Sequence, residues 1–106
     1  MLIPLALLAL GLMACTGSHQ PPVLKVGGIP DQDASRLARR YQGFADYLSR
    51  ELGIPVEYVP SVDYSAVVTA FTQGELQLAF FGGLTGVQAR RLSPGARAIE
   101  IGRAHV

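Results

Sequence analysis

Cysteine is nearly absent from this sequence. Cys15 is the one thiol in 106 residues, which excludes an intrachain disulfide. Histidine is almost as scarce, with only His19 and His105, one near each end of the chain. Ser35, Ser49, Ser61, Ser65 and Ser93 therefore have no histidine to work with, and triad chemistry is excluded within these residues. No cluster of histidines or cysteines has metal-ligand spacing, and neither GxxxxGK nor GxSxG occurs. Tryptophan is missing, and no internal repeat is visible. Charge of either sign is also in short supply. The net value of +1 gives no electrostatic case for nucleic acid.

What is present starts with an apolar run, "MLIPLALLALGLMA", residues 1–14. It is shorter than the roughly 20 residues that a membrane-spanning helix needs. Its length and apolarity are those of a signal-peptide core, although the first basic residue is Lys25. Cys15 follows directly, in the setting "LMAC", which resembles a bacterial lipobox. Cleavage before Cys15 would make it the lipid-carrying anchor. Residues 15–22 then read as a small, polar, Pro-rich tether, with His19 a solvated part of it. At the other end, "IGRAHV" back-translates as ATC GGA AGA GCA CAC GTC, a common sequencing-adapter sequence. Residues 100–106 are accordingly expected to be an adapter-derived tail.

Between these ends, residues 23–99 alternate between two kinds of periodicity. "VLKVGGI", 23–29, reads as a buried strand that Pro30 stops. A long helix follows. Leu37, Tyr41, Phe44, Ala45, Leu48 and Leu52 form its apolar stripe, Asp31 or Asp33 its cap, and Gly53 its end. "PVEYVP", 55–60, is a second strand. The next helix has Asp63 as N-cap, Ala66, Val67, Ala70 and Phe71 as its stripe, and Gly74 as its end. "LQLAFF", 76–81, is a third strand, 84–92 a short third helix, and "ARAI", 96–99, a candidate fourth strand. This β-α-β-α-β-α-(β) order predicts an α/β fold, a parallel sheet with helices on both faces.

In open sheets of this kind, ligands bind beyond the carboxyl ends of the strands. Three junctions belong there: "GGIPDQD" (27–33), "VPSVDYSA" (59–66) and "FFGGLTG" (80–86). Glycines there permit close backbone approach, and helix starts offer unpaired N–H groups and positive dipole ends. Together they suit a small anion. Phe80 and Phe81 point to opposite faces, one toward the core and the other a candidate cleft wall.

The run "GGIPDQDASRLARRYQGFADYLSRELGIPVEYVPSVDYSAVVTAF…GELQLAFFGGLTGVQAR" resembles the periplasmic substrate-binding proteins of phosphate, phosphite and phosphonate ABC transporters, and most of all their selenate-binding branch. The resemblance covers about residues 23–99. It implies a type II periplasmic binding fold, of which this chain supplies the first part of one lobe. It also implies an oxyanion ligand (phosphonate, phosphite, phosphate or selenate), a partner permease and ATPase, and no cofactor and no enzymatic activity. Carried over residue by residue, Pro30 and Asp31 match the first loop, Tyr64 and Ser65 the DY motif, and Phe81, Gly82, Gly83 and Thr85 the FGG-x-T block. Gly86 departs from the pattern, since phosphonate-binding relatives often carry an aromatic there. Two other classes use similar elements: a ligand-binding sensor module of the same fold, and a small α/β enzyme. The strand-end acids Asp31, Asp33 and Asp63 are accounted for by helix capping, which leaves the enzyme without a base.

Overall fold

A computed structural model describes Gly17 and residues 21–102 of the chain. The apolar run expected to be a signal peptide, Cys15, His19 and His105 lie outside the described residues. The elements run β1 (Leu24–Gly28), α1 (Ala34–Leu52), β2 (Val56–Tyr58), α2 (Tyr64–Thr72), β3 (Leu78–Phe80) and α3 (Gly83–Leu92). The three strands are parallel, in the order β2-β1-β3. Each strand is a little shorter than its apolar run; around β1 and β2, Pro30, Pro55 and Pro60 have no N–H to give a ladder.

The register sorts the side chains between two faces. Val26 pairs with Tyr58 and with Leu78, and Gly28 pairs with Phe80, so these residues share one face. Helix α1 covers it. Tyr41 stacks on Tyr58 with ring centroids 4.9 Å apart and lies 5.3 Å from Phe80, which Phe44 meets edge-on. Burial, and secondarily the nearby charge of Asp31, raises the Tyr41 phenol above its ordinary pKa. On the other face, Phe81 packs edge-on against Phe71 of α2, and α2 packs against α3. Val26, Ala45 and Val67 are fully buried, with Leu76 and Ala89 nearly so. A valine side chain taken from water in this way contributes about 1.5–3 kcal/mol.

The glycine pair in β1 has a packing role. A Cβ on Gly27 would come within 2.5 Å of Leu76 Cδ1, and one on Gly28 within 2.5 Å of Tyr41 Oη. Tyr41 of α1 and Leu76, which precedes β3, therefore approach the β1 backbone too closely for a side chain.

Two expectations are corrected. Leu52, the last member of the α1 stripe, is 53 % exposed at the final residue of the helix. Residues 96–99 form no strand. After the turn at Pro94–Gly95 (φ 89° at Gly95) they pair with nothing described, and Ile99 is 79 % exposed. A short, largely apolar segment does not make a strand without a neighbour to complete its ladder.

Candidate functional site

All three strand-to-helix junctions leave the carboxyl edge of the sheet, but their helix starts differ. Helix α1 is capped by Asp33, not Asp31. Its carboxylate accepts from Ser35 Oγ at 2.6 Å and more weakly from Ser35 N at 3.4 Å, while its carbonyl accepts from Leu37 N. Helix α2 is capped by Asp63. Its Oδ1 accepts from Ala66 N at 2.7 Å and from Ser65 Oγ at 2.9 Å. These bonds hold both carboxyls below the usual pKa range, with the Ser35 hydroxyl the main cause for Asp33 and the Ala66 N–H for Asp63. Both are therefore ionised near neutrality.

Helix α3 starts on Gly82, which has no side chain to offer. Thr85 Oγ1 accepts from Gly82 N at 3.0 Å, which is half of a capping box. The other half cannot form. The N–H groups of Gly83, Leu84 and Thr85 thus have no intrahelical acceptor and no capping side chain. The glycines are not demanded by the backbone, since Gly82 has φ −81° and neither Gly82 nor Gly83 is among the positive-φ residues. They are not demanded by packing either. A Cβ on Gly82 would make only ordinary contact with Ile29 Cδ1, at 3.5 Å, and one on Gly83 would meet nothing. Their bareness leaves the α3 start open.

The starts of α2 and α3 face one another across an open groove of about 430 Å³, lined by Tyr64, Ser65, Gly82, Gly83, Leu84, Thr85 and Gln88. Five of the expected site residues, Tyr64, Ser65, Gly82, Gly83 and Thr85, are brought together here. Tyr64 is half-exposed, whereas Thr85 is only 7 % exposed and anchored by its bond to Gly82. Pro30, Asp31 and Phe81 do not line the groove. Pro30 is the middle of a tight turn closed by Asp31 N donating to Ile29 O, and Phe81 is turned toward Phe71. Leu84 and Gln88 line the groove without having been singled out. Gln88 sits one helical turn beyond Thr85 and Leu84, so the spacing i, i+3, i+4 was the available signal. A second depression, lined by Ala38, Arg39, Gln42, Gly43 and Asp46, lies on the outer, solvated face of α1, away from the strand ends. Among the described residues, no three His, Cys, Asp or Glu side chains come together as metal ligands, and no helix is long and apolar enough to cross a membrane.

Comparison with known families places this geometry. Residues 26–104 match the family model described as ABC transporter, phosphonate, periplasmic substrate-binding protein. The chain belongs to this family. The probable ABC transporter phosphite binding protein PhnD1 of Prochlorococcus marinus (strain MIT 9301) is 47% identical over 79 residues, covering 74% of this chain and 27% of that protein. The phosphate-import protein of Mycolicibacterium smegmatis is 30% identical, covering 90% of this chain and 34% of its own length. The crystal structure of the Prochlorococcus protein in complex with methylphosphonate superposes with a TM-score of 0.69 at 48% identity, over 71% of this chain and 28% of that one. A binding protein component of a Pseudomonas aeruginosa phosphonate transporter, 19% identical, shares the fold with a TM-score of 0.66 over 70% of this chain and 24% of its own. The parallel α/β architecture is thus that of periplasmic binding proteins, and these relatives are transporter binding proteins rather than enzymes. The chain spans about a quarter to a third of the length of the curated relatives it matches.

Proposed function

We propose that the chain forms the opening part of one lobe of an extracytoplasmic solute-binding protein, which captures a small oxyanion and delivers it to an ABC permease and ATPase. The observation that carries this reading is the start of α3. Two glycines that neither backbone nor packing requires expose a first turn of uncapped N–H groups to a groove. Aligned N–H groups and a dipole end of about half a positive charge hold an anion without any lysine or arginine. Tyr64 from the α2 start supplies a hydroxyl on the opposite wall. The ligand class is taken from the relatives: phosphonate, phosphite or phosphate, with selenate the further candidate. The opposing lobe would close over the ligand, and differential affinity for the closed form would make capture a signal to the permease. Cys15 would be the lipid anchor that keeps the protein at the membrane.

The test is titration calorimetry on a protein carrying this chain together with the remaining length of its relatives. Phosphate, phosphite, methylphosphonate, selenate and sulfate form the panel. Saturable binding of at least one is expected, and the isolated chain is expected to bind none tightly. Absence of heat with all five on the longer protein would overturn the reading.

A further inference from the structure

Helix α1 covers the sheet with one face and turns the opposite face to solvent. Ala38, Arg39, Gln42, Gly43 and Asp46 line an open depression of about 500 Å³ on that outer face, and all five are exposed. Gly43 is the residue there without a side chain. Glycine inside a helix is unfavourable relative to alanine, and nothing in the surroundings requires it at this position. A Cβ on Gly43 would meet no atom within 4 Å, and the residue is not among the positive-φ glycines. Its bare backbone leaves room for a close approach from outside.

The charges on this face are complementary to themselves. Arg39 and Asp46 are two helical turns apart, so they stand in line along the helix. Arg39 has no acid one turn away in either direction, where Ser35, Arg36, Gln42 and Gly43 stand. Asp46 is held by Gln42 Nε2, which donates to its Oδ1 at 2.9 Å, and the carboxylate can accept further bonds. The midpoint between Arg39 and Asp46 falls between Gln42 and Gly43. The half of α1 before this midpoint carries Arg36, Arg39 and Arg40 and no acid, whereas both acids of the helix, Asp46 and Glu51, lie after it.

We propose that this face docks a second copy of the chain, α1 against α1 and antiparallel, with a two-fold axis passing between Gln42 and Gly43. Arg39 of one copy then meets the partner's Asp46, and Asp46 meets the partner's Arg39, as a two-fold contact requires. The antiparallel order sets the basic half of each helix against the half that holds the acids. A parallel order would set the arginines against one another. Gly43 at the crossing lets the two backbones come to the near end of the usual interaxial range of about 8–10 Å. A contact confined to one helix face belongs to the small, weak class of specific interfaces, so the dimer is a transient one. None of these residues lines the groove between α2 and α3, and the inference does not depend on the oxyanion reading.

Sedimentation equilibrium on the full-length protein over a range of concentrations tests this. A monomer–dimer equilibrium is expected. Arg39→Glu creates two like-charge contacts with one substitution and should weaken the dimer about tenfold or more. Adding Asp46→Arg to that variant reinstates opposite charges, and the dimer should return. Gly43→Leu fills the depression and should also weaken the dimer, while raising the melting temperature because leucine is the better helix former. Thermal melts identify a variant that has lost its fold, and the others then carry the test. A monomer at every concentration, or a dimer that no variant disturbs, overturns the inference. So does a folded double variant that stays monomeric. A monomeric parent whose melting temperature falls on Gly43→Leu would show that the remaining length of its own chain covers this face, which overturns the inference as well.

Discussion

The starts of α2 and α3 lie across one groove and are built in opposite ways. At α2, a charged side chain closes the helix: Asp63 takes the Ala66 N–H and the Ser65 hydroxyl. At α3, the cap position is a glycine, and only Thr85 turns back, to its own cap residue. The first arrangement stabilises a helix end by satisfying it locally. The second leaves donors unsatisfied, which a stable fold tolerates at a site that a ligand or water completes. The difference separates a helix end that serves the fold from one that can serve a ligand.

The sharpest way to break the contrast is to give α3 the cap that α2 has. Gly82→Asp places a carboxylate where the backbone is already extended and a Cβ makes only ordinary contacts. Stability should change by about half a kcal/mol or less, while oxyanion affinity of the full-length protein falls about a hundredfold, roughly 2.7 kcal/mol. Calorimetry beside a thermal melt reads both, and retained affinity would show that the α3 start is not the anion wall. Next in size is Tyr64→Phe. Loss of a hydroxyl bonded to a charged ligand should cost about 1–2 kcal/mol of binding with little change in melting temperature. Unchanged affinity would place Tyr64 in a packing role.

A smaller effect is expected from uncapping α2. Asp63→Ala should lower the melting temperature, because the Ala66 N–H and the Ser65 hydroxyl lose their acceptor. Asp33→Ala should lower stability alike but leave oxyanion affinity untouched, since the α1 start does not line the groove. The smallest effect is acid. Asp33 and Asp63 both have depressed pKa values in the folded state. Their contribution is present above the ordinary carboxylate range and is lost as pH falls through the folded values. NMR titration should show the first turns of α1 and α2 fraying in that window while α3 does not respond. Fraying of α3 alone would contradict the capping assignment.

Much of this was legible along the chain. The stripe Leu37, Tyr41, Ala45 was readable because helical periodicity is a local property, and its members are buried. Asp63 as a cap and Gly53 as a left-handed helix end (φ 69°) follow from equally local chemistry. Leu52 and the segment 96–99 were not legible, because burial and strand formation depend on whether a neighbour arrives. Alternation put Phe80 and Phe81 on opposite faces but could not say what covered each. Phe80 lies against α1 at the unpaired edge of β3 and stays 42 % exposed, while Phe81 is held by Phe71. Gln88 was missed because its helical spacing from Leu84 and Thr85 marks a shared face but does not say that this face borders a groove.

By itself, then, the order of residues determined the element types, the aspartate caps and the bareness of Gly82 and Gly83, since each depends on neighbours within a few positions. Only the tertiary structure decided which helix starts share a groove. Helix α1 crosses one face of the sheet, while α2 and α3 pack together on the other, so the starts of α2 and α3 meet and that of α1 is left out. That choice follows from the β2-β1-β3 strand order and its register, which arise from contacts between residues far apart in the chain.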